Sequence, residues 1–92
     1  MAMKSPSDEL LLDMYRRMWL IRLFEEQAEY QSSQGKVAGA LHTYIGQEAV
    51  GVGVCAHLGD KDYITSTHRG HGHCISKGAD INRMMAELFG RA

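Results

Sequence analysis

Ninety-two residues with 45 % hydrophobic side chains and a net charge of −1 make one domain at most, with a modest core. This composition excludes a disordered chain, and the scattered Lys and Arg residues exclude the basic stripe that nucleic-acid binding requires. The longest apolar runs, residues 10–12 and 18–21, are too short for a membrane span, and no leader pattern opens the chain, so a cytoplasmic protein is expected.

The first expected element is a long helix. Ser5 is placed to cap it, Pro6 suits its first position, and Asp8 completes a pattern like a capping box. Beyond Glu9, Leu11, Met14, Tyr15, Met18, Ile21 and Phe24 recur at helical spacing. Leu12, Trp19 and Leu23 widen that stripe so far that it needs cover from more than one side. The helix turns polar at Glu25, Glu26, Gln27 and Glu29 and is expected to stop near Gly35.

Residues 35–46 read as an irregular connection, and residues 47–58 as a second helix. Gly51 and Gly53 interrupt that helix at about 1 kcal/mol each relative to alanine, which predicts that another backbone approaches closely there. Gly59-Asp60-Lys61-Asp62 predicts a turn, and Tyr63-Ile64-Thr65-Ser66-Thr67 a short strand. A histidine-rich turn leads into a short helix over 74–77, closed by Gly78-Ala79-Asp80. Asp80 or Asn82 then caps a last helix over 84–89. Cys55 and Cys74 form no CxxC pair and read as reduced thiols, at least one of them buried.

Chemistry concentrates between Thr65 and His73. A strand entering a turn with Gly70 and Gly72, ahead of a helix, can aim backbone N–H groups at an anion. Arg69 adds a planar, permanent cation suited to phosphate, and His68, His71 and His73 add donors and proton traffic. This reads as a phosphate-binding turn with histidine near a reacting centre; the competing reading is a polar surface turn whose histidines bond backbone carbonyls. A zinc site from His68, His71, His73 and Cys74 ranks lower, because ligands so dense rarely converge on one tetrahedron and no Asp or Glu lies among them. His42, in a glycine-flanked loop, is the second candidate. Glu48 and His57 suit the two ends of the second helix dipole, and Tyr15 and Trp19 suit a core or an interface.

Four stretches stand out in order: Tyr15-Arg16-Arg17-Met18 through Arg22-Leu23-Phe24-Glu25-Glu26, then Gly39-Ala40-Leu41-His42-Thr43-Tyr44-Ile45-Gly46-Gln47-Glu48-Ala49. Asp62-Tyr63-Ile64-Thr65-Ser66 through His71-Gly72 and Met85-Ala86-Glu87-Leu88-Phe89-Gly90-Arg91 follow. Taken together, in this order and spacing, they resemble the alpha subunit of the thiamine-diphosphate-dependent first component of 2-oxo acid dehydrogenase complexes. The resemblance implies that Arg69 holds the cofactor diphosphate, with His68 contacting diphosphate or substrate. It implies that His71 stands at the catalytic mouth and that His42 assists the reacting carbonyl near the thiazolium. His68 replaces the tyrosine usual in pyruvate-type members, and with His73-Cys74-Ile75 this is more similar to the acetoin dehydrogenase branch.

The same resemblance implies an α/β, doubly wound parent fold, of which residues 1–92 form an N-terminal fragment, mostly helical with one short strand. It implies cleavage of acetoin, with pyruvate or a branched-chain 2-oxo acid as alternatives, and transfer of the acyl unit to a lipoyl-bearing acyltransferase. Expected partners are a beta subunit in a heterotetramer and the small-molecule substrate, without nucleic acid or membrane. Magnesium is implied with its Gly-Asp-Gly and Asn-Asn ligands beyond residue 92, so a truncated chain that binds the cofactor weakly is expected. The rival classes are a small histidine-cluster metal-binding module and a non-catalytic helical interaction module.

Overall fold

The computed structural model describes residues 6–37, 39, 41–59 and 61–91. Its first element, helix α1, runs Asp8–Ser33. The cap is Ser7, whose side chain accepts from the Leu10 N–H at 3.1 Å, with Asp8 and Glu9 against the positive end of the dipole. The capping role expected of Ser5 lies outside the described residues. At the other end Gly35 takes φ +75°, and the Gly35 and Lys36 N–H groups return to the Ser32 and Gln31 carbonyls at 3.0 and 3.1 Å. This reversal needs a left-handed residue, which is why glycine stops the helix where the sequence predicts.

Only one face of α1 is buried. Ile21, Phe24, Glu25 and Ala28 face inward, with Met14 and Met18 packed beside them. The broad part of the stripe is not covered among the described residues: Leu11, Leu12, Tyr15, Trp19 and Leu23 are all exposed. Tyr15 and Trp19 meet edge to face at 6.3 Å on that outer surface. The expectation that the helix turns polar at Glu25 fails at its first residue, because Glu25 is 0 % exposed. Its position at the inward phase, four residues after Ile21, outweighs its charge.

Helix α2 is Glu48–Cys55, shorter than expected. Gly51 does permit close packing, but of side chains rather than backbone: a Cβ there would meet the Tyr44 hydroxyl at 3.1 Å and Ser76 Oγ at 3.3 Å. Gly53 has nothing within 4 Å of such a Cβ, so the close approach expected at both glycines occurs at one. The turn after α2 closes with the Asp62 N–H on the Gly59 carbonyl at 3.0 Å. Lys77 Nζ staples it from below, donating to the Gly59 and Asp62 carbonyls at 2.9 and 2.8 Å.

The expected strand over 63–67 is absent, and no strand occurs among the described residues. β-forming composition cannot make a strand without a neighbour to complete the ladder, and here Tyr63 stands 98 % exposed. Helix α3 begins earlier than expected, as His71–Ser76, and ends at Gly78 with φ +96°. Helix α4, Ile81–Leu88, is capped by Asp80, which accepts from the Asn82 and Arg83 N–H groups. Cys55 is half-buried and Cys74 exposed, both free, so neither thiol is the buried one expected.

Ile21, Phe24, Tyr44, Val52 and Ile75 form the core, two from α1 and one each from the 41–47 loop, α2 and α3. Tyr44 sits at the centre. Its ring occupies the space a side chain at Gly72 would need, since a Cβ there would lie 2.1 Å from Tyr44 Cδ2. Burial raises the Tyr44 phenol above its ordinary range, so it stays a neutral hydrogen-bonding group. A loop residue buried at the helix junction fixes the path of the segment that carries His42.

Candidate functional site

The 41–47 loop is held at three points. At its far end Glu48, 8 % exposed, accepts from the Gly46 N–H at 2.5 Å and from Arg22 Nη2 of α1 at 2.9 Å. Burial of this carboxylate makes it a structural tie as well as a dipole partner, which extends the simpler expectation for Glu48. In the middle, the Tyr44 N–H donates to Glu25 Oε2 at 3.3 Å. On the outer side, Arg69 Nη1 donates to the Thr43 carbonyl at 2.9 Å.

That last bond joins the two stretches singled out in the sequence. Beside it the His42 and His68 rings meet edge to face, with centroids 4.7 Å apart. His42, His68 and Arg69 therefore form one exposed group drawn from segments 26 residues apart in the chain. Among the described residues no carboxylate pairs with Arg69. The group offers a guanidinium and two imidazoles and no carboxylate of its own, a donor set chemically suited to a doubly charged diphosphate. The larger cavities lie elsewhere; one of about 270 Å³ sits between Met14, Val52 and Ser76.

His71 takes a different position. It opens α3 and turns inward, its ring edge-on to Phe24 at 5.5 Å and its Nδ1 2.6 Å from Glu25 Oε1. Both atoms are buried, and among the described residues neither has another side-chain partner, so the contact is a close carboxylate–imidazole pair. The Glu25 carboxylate raises the His71 pKa above the ordinary 6.5 against the opposing effect of burial. The inner nitrogen is buried, while the His71 side chain as a whole keeps 23 % exposure.

His73 completes the histidines of this stretch. Its Nδ1 lies 2.6 Å from Ser66 Oγ, and its ring stands edge-on to Tyr44 at 5.0 Å. Gly72 belongs to α3, and its missing side chain is explained by the Tyr44 ring rather than by an anion-binding turn. Gly70 is the residue before α3, closely approached by Ser66 Oγ. The strand-to-turn anion cradle expected here is thus not formed by the two glycines; the candidate anion contact is Arg69 with its neighbouring imidazoles. The histidines also diverge, and among the described residues no three His, Cys, Asp or Glu side chains gather to hold a metal.

Sequence reasoning missed Glu25, Tyr44 and Ser66 as parts of this region. For Glu25 a signal was present: Ile21, Phe24, Glu25 and Ala28 have the three- and four-residue spacing of one helix face. For Ser66, which meets His73 only because the chain bends at 68–70, local sequence holds no such signal.

Comparison with known proteins follows the same residues. Over 88 residues, 96 % of its length, the chain is 57 % identical to the alpha subunit of acetoin:2,6-dichlorophenolindophenol oxidoreductase from Bacillus subtilis. It is 52 % identical over 83 residues, 90 % of its length, to the same-named subunit of Cupriavidus necator. It is 47 % identical over 81 residues, 88 % of its length, to the pyruvate dehydrogenase E1 component subunit alpha of Porphyra purpurea. These matches take up 26 %, 25 % and 24 % of the relatives, so the chain spans about a quarter of the length of the curated relatives it matches. No solved structure matches. Residues 16–92, which include every candidate site residue, match the family described as the dehydrogenase E1 component, and the chain belongs to that family.

Proposed function

We propose that the chain is the N-terminal part of the alpha subunit of a thiamine-diphosphate-dependent dehydrogenase that cleaves acetoin and passes the acyl unit to a lipoyl partner. The observation that carries this reading is the joining of His42, His68 and Arg69 into one donor group in a chain 57 % identical to an acetoin oxidoreductase subunit. When bound, thiamine diphosphate supplies the carbanion chemistry that no side chain provides. Arg69 supplies charge-assisted hydrogen bonds to the diphosphate, each worth roughly 1.5–3 kcal/mol. Its bond to the Thr43 carbonyl holds the guanidinium in place before the anion arrives, so less side-chain freedom is lost on binding.

His68 stands against His42 and adds a donor at the diphosphate or the substrate. His42 lies on the tied loop and donates toward the substrate carbonyl oxygen as charge develops there. His71, whose pKa Glu25 raises, is the residue suited to hold or release a proton at its outer nitrogen. The parent fold in this proposal is the doubly wound α/β thiamine-binding domain, with residues 1–92 as its opening segment. Magnesium is held by residues outside this chain, a beta subunit completes the site in a heterotetramer, and a lipoyl-bearing acyltransferase receives the product. Among the described residues no helix is long and apolar enough to cross a membrane; a cytoplasmic setting is part of the proposal.

A chimera tests the reaction. This chain replaces the matching quarter of the B. subtilis subunit, and dye reduction is measured with acetoin and with pyruvate. Acetoin-dependent reduction is expected. The 47 % identity to a pyruvate dehydrogenase subunit supports the second reading, which reduction with pyruvate alone would favour. A folded, cofactor-loaded chimera active on neither would contradict both.

A further inference from the structure

The least expected residue of the region is a fully buried carboxylate in the middle of α1. Glu25 is 0 % exposed, and its two oxygens face two different segments. Oε1 lies 2.6 Å from His71 Nδ1, and Oε2 accepts the Tyr44 N–H at 3.3 Å. Tyr44 is two residues from His42, and His71 two residues from Arg69. One carboxylate therefore touches both segments of the candidate site from beneath, while Arg69 and Thr43 join them from above.

A buried carboxylate kept only for stability is a poor choice at this point. Removing an ion from water costs several kcal/mol, and an apolar residue on the same helix face would pack against Phe24 and Ile21 without that cost. The retained charge acts on its neighbours instead. We propose that Glu25 is a positioning residue: it holds the His71 ring with Nδ1 inward, leaving the outer nitrogen as the acid of the site, and it fixes the His42 loop to that ring. The catalytic part of this proposal rests on the reading of His71 given above; the coupling between the two segments does not.

The groups facing His71 are few. Glu25 from α1 is nearest, Glu87 from α4 adds a weaker field of the same sign, and Arg69 and His73 are its charged or titratable neighbours along the chain. Phe24 offers only an apolar edge. Loss of the Glu25 charge therefore removes the main support for the imidazolium while leaving the packing in place.

The test is nitrogen-15 NMR of the full chain. In the unaltered protein His71 is expected to titrate above the ordinary histidine range, with the Tyr44 amide resonance moving at the same midpoint. In Glu25→Gln the His71 midpoint is expected to fall, and the Tyr44 amide to stop following it. An unmoved midpoint in a folded Glu25→Gln protein overturns the proposal. Should that variant fail to fold, the unaltered protein still decides: a Tyr44 amide indifferent to His71 titration overturns it. In the chimera, Glu25→Gln is expected to lower kcat with little change in KM and to move the alkaline limb of the pH profile downward, and Glu25→Asp to restore part of the rate. Intact NMR coupling together with full activity in His71→Ala would contradict the reading of His71 and the catalytic part of the proposal, but not the coupling.

Discussion

A single methyl group added at Gly72 should reverse its effect depending on whether Tyr44 is present. In Gly72→Ala the new Cβ would lie 2.1, 2.5 and 2.6 Å from Tyr44 Cδ2, Cγ and Cε2. Carbon atoms rest about 3.5–4.0 Å apart, so the ring must retreat by more than about 1 Å. It has little room: Tyr44 is 2 % exposed, and its hydroxyl and Cε2 already lie 3.1 and 3.2 Å from the Cβ position at Gly51. Overpacking of this kind costs about 1–3 kcal/mol, a large part of the roughly 5–14 kcal/mol available to a chain of this size. Tyr44→Ala alone should cost about 3–5 kcal/mol. In the Tyr44→Ala background the clash is gone, and Gly72→Ala should be neutral or stabilising by up to about 1 kcal/mol through helix propensity. Urea unfolding of the four proteins measures this coupling. Losses that simply add within about 0.5 kcal/mol would refute the account of Gly72.

Three further outcomes follow from named contacts. Arg22→Met leaves the buried Glu48 carboxylate with the Gly46 N–H alone and should cost about 1–3 kcal/mol, partly recovered by adding Glu48→Gln, as read by thermal unfolding. Ser7→Ala removes the cap of α1 and should cost about 1 kcal/mol in the same assay. For His71 the folded pKa is raised by Glu25, so its contribution to stability is fully present below the ordinary value of 6.5 and is lost as pH rises through the folded value. Unfolding free energy measured across this range should show that loss, and the loss should vanish in His71→Gln.

Local chemistry made much of the fold legible. Gly35 stops α1 and Asp80 caps α4 because each acts within a few residues, through a left-handed turn and a side-chain acceptor. His42, His68 and Arg69 fall within the motifs that mark the family, whereas the bond that joins their segments, from Arg69 to the Thr43 carbonyl, could not be read from spacing. What stayed hidden depends on contacts distant in sequence. Glu25 carries charge, so composition assigns it to water, whereas its phase along α1 assigns it to the core. Residues 63–67 have strand-like composition but no partner among the described residues, and composition cannot supply one. Gly72 belongs to a glycine and histidine run that resembles an anion-binding turn, while its actual neighbour is an aromatic ring from residue 44.

The central claim is that the Arg69 guanidinium, set beside His42 and His68, grips the cofactor diphosphate. Calorimetric titration of thiamine diphosphate into the chimera with its beta subunit and magnesium tests this most directly. Loss of one such charge-assisted contact, roughly 1.5–3 kcal/mol, predicts that Arg69→Ala weakens binding by about ten- to a hundredfold. His71→Ala, which removes a side chain turned toward Glu25, should leave affinity nearly unchanged. A folded Arg69→Ala protein that binds the cofactor as tightly as the unaltered one would contradict the claim.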